Sequence, residues 1–283
     1  MSNLGDPITA IKDAQRPERI PWEDCILLLQ VDGRFAEIGV LQVETGYFAR
    51  LLRYNARIPE PELIKALKNT LDAQGIQTDR CQKTLLIFNS PHCVPVPEKV
   101  AEAGGLAALH AFLFTENPEE ELQTDSGITD WQLQYTVNRR LLEEARACFK
   151  NLQIVHQQTA LLKSRPEAEA AQLQLYLSYR PGLLSMAAFR NGQLQILQSF
   201  KAETVADILY VVLNFIEARK LPKAARVLLT GDFPEAEQVR ERLALELGDA
   251  QWLALPERGQ YPSALGNYSG HCFYHLVSLG LCE

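Results

Sequence analysis

The chain lacks the short motifs that hold phosphate or metal by spacing alone. It has no G-x-x-x-x-G-K-S loop and no G-x-G-x-x-G turn, so neither the P-loop nor the dinucleotide-binding route to a nucleotide is written in it. Its six cysteines (Cys25, Cys81, Cys93, Cys148, Cys272, Cys282) show no C-x-x-C spacing, and several fall at apolar positions that suit reduced, buried thiols rather than disulfides. Basic residues are in the minority, 28 Lys and Arg against 35 Asp and Glu, for a formal net charge of −7. Phosphate-backbone binding needs a concentrated basic face, so no nucleic-acid partner is expected. No apolar run approaches the roughly 20 residues of a membrane span. The N-terminus, MSNLGDPITAIKDAQRPERIPWED, lacks the basic start and apolar core of a secretory signal, which makes the expected location cytoplasmic.

What is present is a long internal repeat. Residues 27–54, LLLQVDGRFAEIGVLQVETGYFARLLRY, lie without gaps over residues 173–200, LQLYLSYRPGLLSMAAFRNGQLQILQSF, with Gly46 on Gly192. Each copy reads strand, turn, strand, turn, strand. One amphipathic helix and a short apolar strand follow each copy, Thr84 to Phe88 in the first half and Arg226 to Thr230 in the second. A period this long signals duplication of a whole β-β-β-α-β unit, because solenoid repeats run at roughly 20–50 residues. At 283 residues and 47% hydrophobic content the chain can bury two cores of ordinary size.

A pass along the chain predicts four regions. Residues 1–23 are polar and punctuated by proline, and read as a flexible N-terminal arm. Residues 24–156 form the first domain. It opens on the apolar run Cys25 to Val31 and includes a helix over Pro59 to Ala73 that stops at Gly75. Within it, residues 91–130 are irregular, and the acidic stretch Asn117 to Asp125 reads as an exposed loop. Residues 157–171 read as a polar linking helix, and residues 172–283 as the second domain, with a helix from Thr204 to Lys220 that places Val205, Ile208, Leu209, Val212 and Ile216 on one face.

Two copies of β-β-β-α-β-α-β-α joined by a helix resemble the duplicated, ribonuclease H-like architecture of the actin-like ATPase superfamily, an α/β fold with mixed sheets. Further segments carry the likeness: S-P-H-C-V-P-V-P at 90–97, Y-T-V-N-R-R-L-L at 135–142, F-R-N-G-Q-L-Q-I-L-Q-S-F at 189–200 followed by a helix with Asp207 and Tyr210, V-L-L-T-G-D at 227–232, and the terminal Cys282-Glu283. From about residue 24 onward the chain resembles a bacterial family of unknown function that adopts an actin-like fold. The wider resemblance is to actin-like proteins of cell division and pilus assembly.

That resemblance implies ATP held between two domains by the first hairpin of each, by an acid at the end of each first strand, and by a third, glycine-bearing turn. Asp32 and Gly33 stand at the first hairpin, although Asp-Gly is also among the commonest two-residue turns. At the second, Ser178 stands where the acid should be, Tyr179 adds bulk, and Pro181 has no amide to donate. Arg180 is either a phosphate partner or a solvated arginine in a turn. The third turn, Thr230-Gly231-Asp232, keeps one glycine and sets a carboxylate beside it. A nucleotide reading therefore assigns Asp32, Gly33, Arg180 and Gly231 to ATP and magnesium, with no catalytic residue and no metal ligand identified.

Other constellations are weaker. His271 and His275, four apart on a predicted final helix, are two ligands without a third. Pro91-His92-Cys93 lacks the turn signature of a cysteine nucleophile. The expectation that follows is a non-catalytic actin-like protein with a degenerate nucleotide site, no cofactor, and a role in binding another protein through the acidic stretch or the arm. The alternative is an ATP-binding switch or weak ATPase.

Overall fold

Two hairpin-led sheets organise the chain in a computed structural model that describes residues 3–12, 20–32, 34–56, 58, 60–102, 106–115, 117–128, 130–163, 173–221 and 225–282. The chain divides into two compact units, Met1–Ser164 with Pro256–Ser269 and His275–Glu283, and Arg165–Leu255 with Gly270–Tyr274.

In the first unit, β1 (Thr9–Lys12), β2 (Cys25–Val31), β3 (Phe35–Gln42) and β4 (Tyr47–Asn55) precede α1 (Glu60–Ala73), β5 (Lys83–Phe88), β6 (Cys93–Pro97), α2 (Glu98–Glu102), α3 (Leu106–Leu113), β7 (Glu120–Ile128), β8 (Trp131–Asn138), α4 (Arg139–Cys148), β9 (Leu152–His156) and α5 (Gln157–Lys163). The main sheet runs β1-β4-β3-β2-β5-β9, with β5 parallel to β2 and β9 parallel to β5. β2 is buried at every position, as an unbroken apolar run requires of a central strand. Asn138 caps α4 by accepting from Leu141 N.

The second unit contains β10 (Gln174–Arg180), β11 (Gly182–Arg190), β12 (Gln193–Ala202), α6 (Val205–Ala218), β13 (Ala225–Gly231), α7 (Ala236–Leu247) and β14 (Gly248–Trp252). Its sheet runs β12-β11-β10-β13-β14, which repeats the order β4-β3-β2-β5-β9. Thr204 and Asp207 form a capping box at the start of α6. The buried face of that helix, Ile208, Val212, Phe215 and Ile216, packs with Leu177, Leu184, Met186 and Leu229 of the sheet.

Four expectations are corrected. The N-terminal arm contains β1, which pairs antiparallel with β4 and buries Ile11 completely, so four residues of strand suffice once a free sheet edge is available. The acidic stretch forms most of β7, the outer strand of a three-stranded antiparallel sheet ordered β6-β8-β7. The helix read as a polar linker is described only over Gln157–Lys163, where α5 buries Gln157, Gln158 and Thr159, whose side chains find polar partners; residues 164–171 lie outside the described residues. Finally, α8 (Tyr274–Leu281), counted by the repeat with the second half, packs with the first unit. Two glycines allow it. A Cβ on Gly39 would lie 2.6 Å from Leu276 Cδ2, and one on Gly280 would lie 2.6 Å from Leu28 Cδ1.

Candidate functional site

In sheets with parallel strands, binding groups collect at the carboxyl ends of those strands, where the connections diverge. In the first unit these are the ends of β2, β5 and β9. Asp32 follows β2, and its Oδ1 accepts from Arg34 N at 3.1 Å and Phe35 N at 2.7 Å, so this carboxylate shapes its own hairpin. Gly33 lies outside the described residues.

Beside that hairpin, a buried polar cluster joins the ends of β5 and β9 to β7 and α5. Gln30, on β2, donates from Nε2 to Gln157 Oε1 at 2.8 Å. His156, the last residue of β9, is fully buried, and desolvation lowers its pKa to about 4, which keeps the ring neutral. Its Nδ1 accepts from Gln158 N at 3.2 Å, and its Nε2 lies 3.0 Å from Ser90 N and 3.2 Å from Ser90 O. Asp125 of β7 accepts from Tyr135 Oη at 2.8 Å, His156 N at 2.7 Å and Thr159 Oγ1 at 2.5 Å. Burial raises its pKa, and the three hydrogen bonds pull the other way. The same burial pushes the Tyr135 phenol and the Cys93 thiol upward. A Cys93 held as the neutral thiol is no nucleophile, which removes the reading of Pro91-His92-Cys93 as a reactive site.

The second unit brings Arg180 and Gly231 together. Arg180 ends β10 with 2% of its side chain exposed, and donates to Asp232 Oδ2 at 3.2 Å and Cys272 O at 3.4 Å. It is thus a buried, paired arginine, not a solvated one in a turn. Gly231 takes φ +97°, and a Cβ there would meet Tyr179 O at 2.1 Å, so only glycine lets this turn lie against its own hairpin. Asp232 N donates to Tyr179 O at 2.9 Å, and Tyr179 Oη donates to Ala202 O at 3.1 Å. Ser178 is buried where an acid is expected. The segment Gly270–Phe273, a 3₁₀ turn, closes over these strand ends. Thr230 Oγ1 donates to His271 O at 2.8 Å, His271 Nδ1 lies 3.1 Å from Gly231 O, and the imidazole stacks on Trp252 with centroids 4.1 Å apart. His275 belongs to α8 in the first unit, so the two histidines do not share one helix face.

A family described as "Protein of unknown function (DUF3822)" matches residues 19–245. The chain belongs to this family. A protein from Bacteroides thetaiotaomicron VPI-5482, with actin-like ATPase fold and unknown function, superposes with TM-score 0.71 at 13% identity, over 84% of this chain and 94% of that one. The PilM-PilN type IV pilus biogenesis complex gives TM-score 0.64 at 13% identity, over 91% and 97%. No curated protein sequence matches the chain. The fold is that of the actin-like ATPases.

Asp125, His156 and Thr159 escape a motif search because their bonds span distant segments, 31 to 34 residues apart. One signal was available: E-L-Q-T-D-S-G-I and W-Q-L-Q-Y-T-V flank a tight connection in which Asp130 takes φ +64°, a hairpin pattern hidden by the acidic composition.

Proposed function

We propose that this protein is a non-catalytic member of the actin-like fold that acts by binding another protein, its nucleotide-handling turns having been rebuilt as internal structure. One observation carries the reading. Arg180, the cation best placed by sequence for a phosphate, is spent on Asp232 and on the carbonyl of Cys272, and the turn at Gly231 is occupied by Tyr179 and His271. Phosphate binding there needs the ion pair broken and the imidazole displaced, at a cost that triphosphate contacts would have to exceed. The shared strand order supports duplication as the origin of the two units. A net charge of −7 supports a partner other than nucleic acid. No helix among the described residues is long and apolar enough to cross a membrane. The PilM structure, similar in fold, is a complex with PilN, which makes protein binding a use this architecture supports.

A second reading, an ATP-binding switch through Asp32, Gly33, Arg180 and Gly231 with magnesium, draws on one feature of the first unit. Gln30 Oε1 and Asn89 Oδ1 are buried acceptors that no described donor reaches, and they stand at the strand ends where a ligand with N–H or O–H groups would be received. Thermal melting with and without millimolar Mg-ATP separates the two. Nucleotide at a hundred times its dissociation constant adds about 2.7 kcal/mol, a shift of several degrees. The first reading expects no shift; a dose-dependent rise establishes the second.

A further inference from the structure

Both units carry a groove between the strand farthest out in the shared order and the helix that follows it, and among the described residues only that of the first unit is filled. In the first unit the chain's own N-terminal segment fills it. β1 runs antiparallel along β4, from Thr9 opposite Arg53 to Lys12 opposite Arg50. Leu4 N donates to Thr70 Oγ1 of α1 at 2.9 Å, Leu4 is buried, and Lys12 Nζ donates to Gln74 Oε1 at 3.2 Å. In the second unit β12 ends the sheet, and among the described residues no strand pairs with its outer side. The groove beside it holds about 300 Å³ and is lined by Gln198, Phe200, Tyr210, Asn214, Phe215 and Arg219 among others. Tyr210 is 70% exposed.

The two grooves differ in chemistry. α1 and α6 are both 14 residues long, so Thr70 corresponds to Phe215, and Gln74, the first residue after α1, corresponds to Arg219, the first after α6. Where the covering segment of the first unit meets a hydroxyl and an amide, one entering the second groove would meet an aromatic ring and a cation. Arg219 makes no ion pair with any described residue. β12 also has few of the features that blunt an exposed edge: it contains no proline, and Lys201 is its single charge.

We propose that this groove docks an extended segment of a partner protein, added as a strand to β12, with an apolar side chain seated on Phe200, Tyr210 and Phe215 and a carboxylate paired with Arg219. The assignment rests on the protein-binding reading above and gives it a site and a partner chemistry. Backbone pairing supplies part of the affinity, the aromatic floor receives the anchor, and the guanidinium selects an acid where the internal segment of the first unit carries Lys12.

The test is selection of a random 12-residue peptide library displayed on phage against the full chain. Enriched peptides are then synthesised with a fluorophore and titrated by anisotropy onto wild type, Tyr210→Ala and Arg219→Glu. Both substitutions are at exposed positions, and unchanged melting temperatures verify that the variants fold. The expected peptides combine an apolar residue with a nearby acid and lose about tenfold or more in affinity on either variant. Replacing their acid by lysine should restore binding to Arg219→Glu. Absence of a shared pattern, or titrations indifferent to both substitutions, overturns the groove; in the latter case peptides bind elsewhere and the broader protein-binding reading stands. A reversible dimer in sedimentation that both substitutions dissociate assigns the edge to a second copy and overturns the partner peptide. A melting shift with Mg-ATP strikes the broader reading instead, so the two failures are distinguishable.

Discussion

Arg180 and Asp232 close the end of the second sheet on itself: the guanidinium donates to the carboxylate at 3.2 Å, with 2% and 15% of the two side chains exposed. Removing one partner of such a pair strands the other charge in a poorly solvated place. Asp232→Ala should therefore lower unfolding free energy by about 3 kcal/mol in urea titrations. Arg180→Met combined with Asp232→Ala should cost less than the sum of the single changes, because no buried charge remains. Additive losses would show that the two side chains are not coupled.

The turn after β13 tolerates glycine alone. Gly231→Ala must place a Cβ in the left-handed region and within 2.1 Å of Tyr179 O, so a loss of about 3 kcal/mol or more is expected. Gly75→Ala is the control: φ is +69° but nothing lies within 4 Å, and the expected loss is about 1 kcal/mol. Melting curves of the two variants rank them directly.

His156 gives stability a dependence on pH of known sign. Its pKa falls from 6.5 in the unfolded chain to about 4 in the folded one, so the unfolded state takes up protons first as pH drops. The contribution is whole above pH 6.5 and is lost progressively as pH falls toward 4. Between pH 7 and pH 5 wild type should lose about 2 kcal/mol that His156→Gln does not lose. Equal losses in both proteins would place the titration elsewhere.

Asp125 shifts in the opposite sense. Burial raises its folded pKa, so its contribution is full below the unfolded value and lost as pH rises through the folded one, where the ionised carboxylate carries the desolvation cost. Asp125→Asn keeps an acceptor and sheds that cost, and should stay within about 1 kcal/mol of wild type at pH 7. Asp125→Ala leaves the His156 amide and the Thr159 and Tyr135 hydroxyls without their acceptor and should cost about 3 kcal/mol. Urea titration at pH 7 orders the two variants.

Much of the fold was legible because local rules were sufficient. Alternation and turns placed the three strands of each hairpin set, Thr204 marked a helix start, and Gly75 marked a helix end. β1 was missed because Thr9–Lys12 is a strand only by virtue of the free edge of β4, a partner about 40 residues away. α5 was read as a polar linking helix because Gln-Gln-Thr looks polar, whereas Gln157 is buried and bonded to Gln30, 127 residues earlier. The packing of α8 on the first sheet depends on Gly39 and Gly280, whose meaning appears only when the helix lies against the strands. At the candidate site, the sequence identified Arg180 and Gly231 as notable and left open what Arg180 faces. Asp232 and the carbonyl of Cys272 supply that answer through tertiary contacts.

Isothermal titration of Mg-ATP into the full chain tests the central claim most directly. We expect no saturable heat at nucleotide concentrations up to the millimolar range, because Arg180 and the Gly231 turn are committed to internal partners. A stoichiometric isotherm that Arg180→Ala abolishes, while leaving the protein folded, would contradict the account.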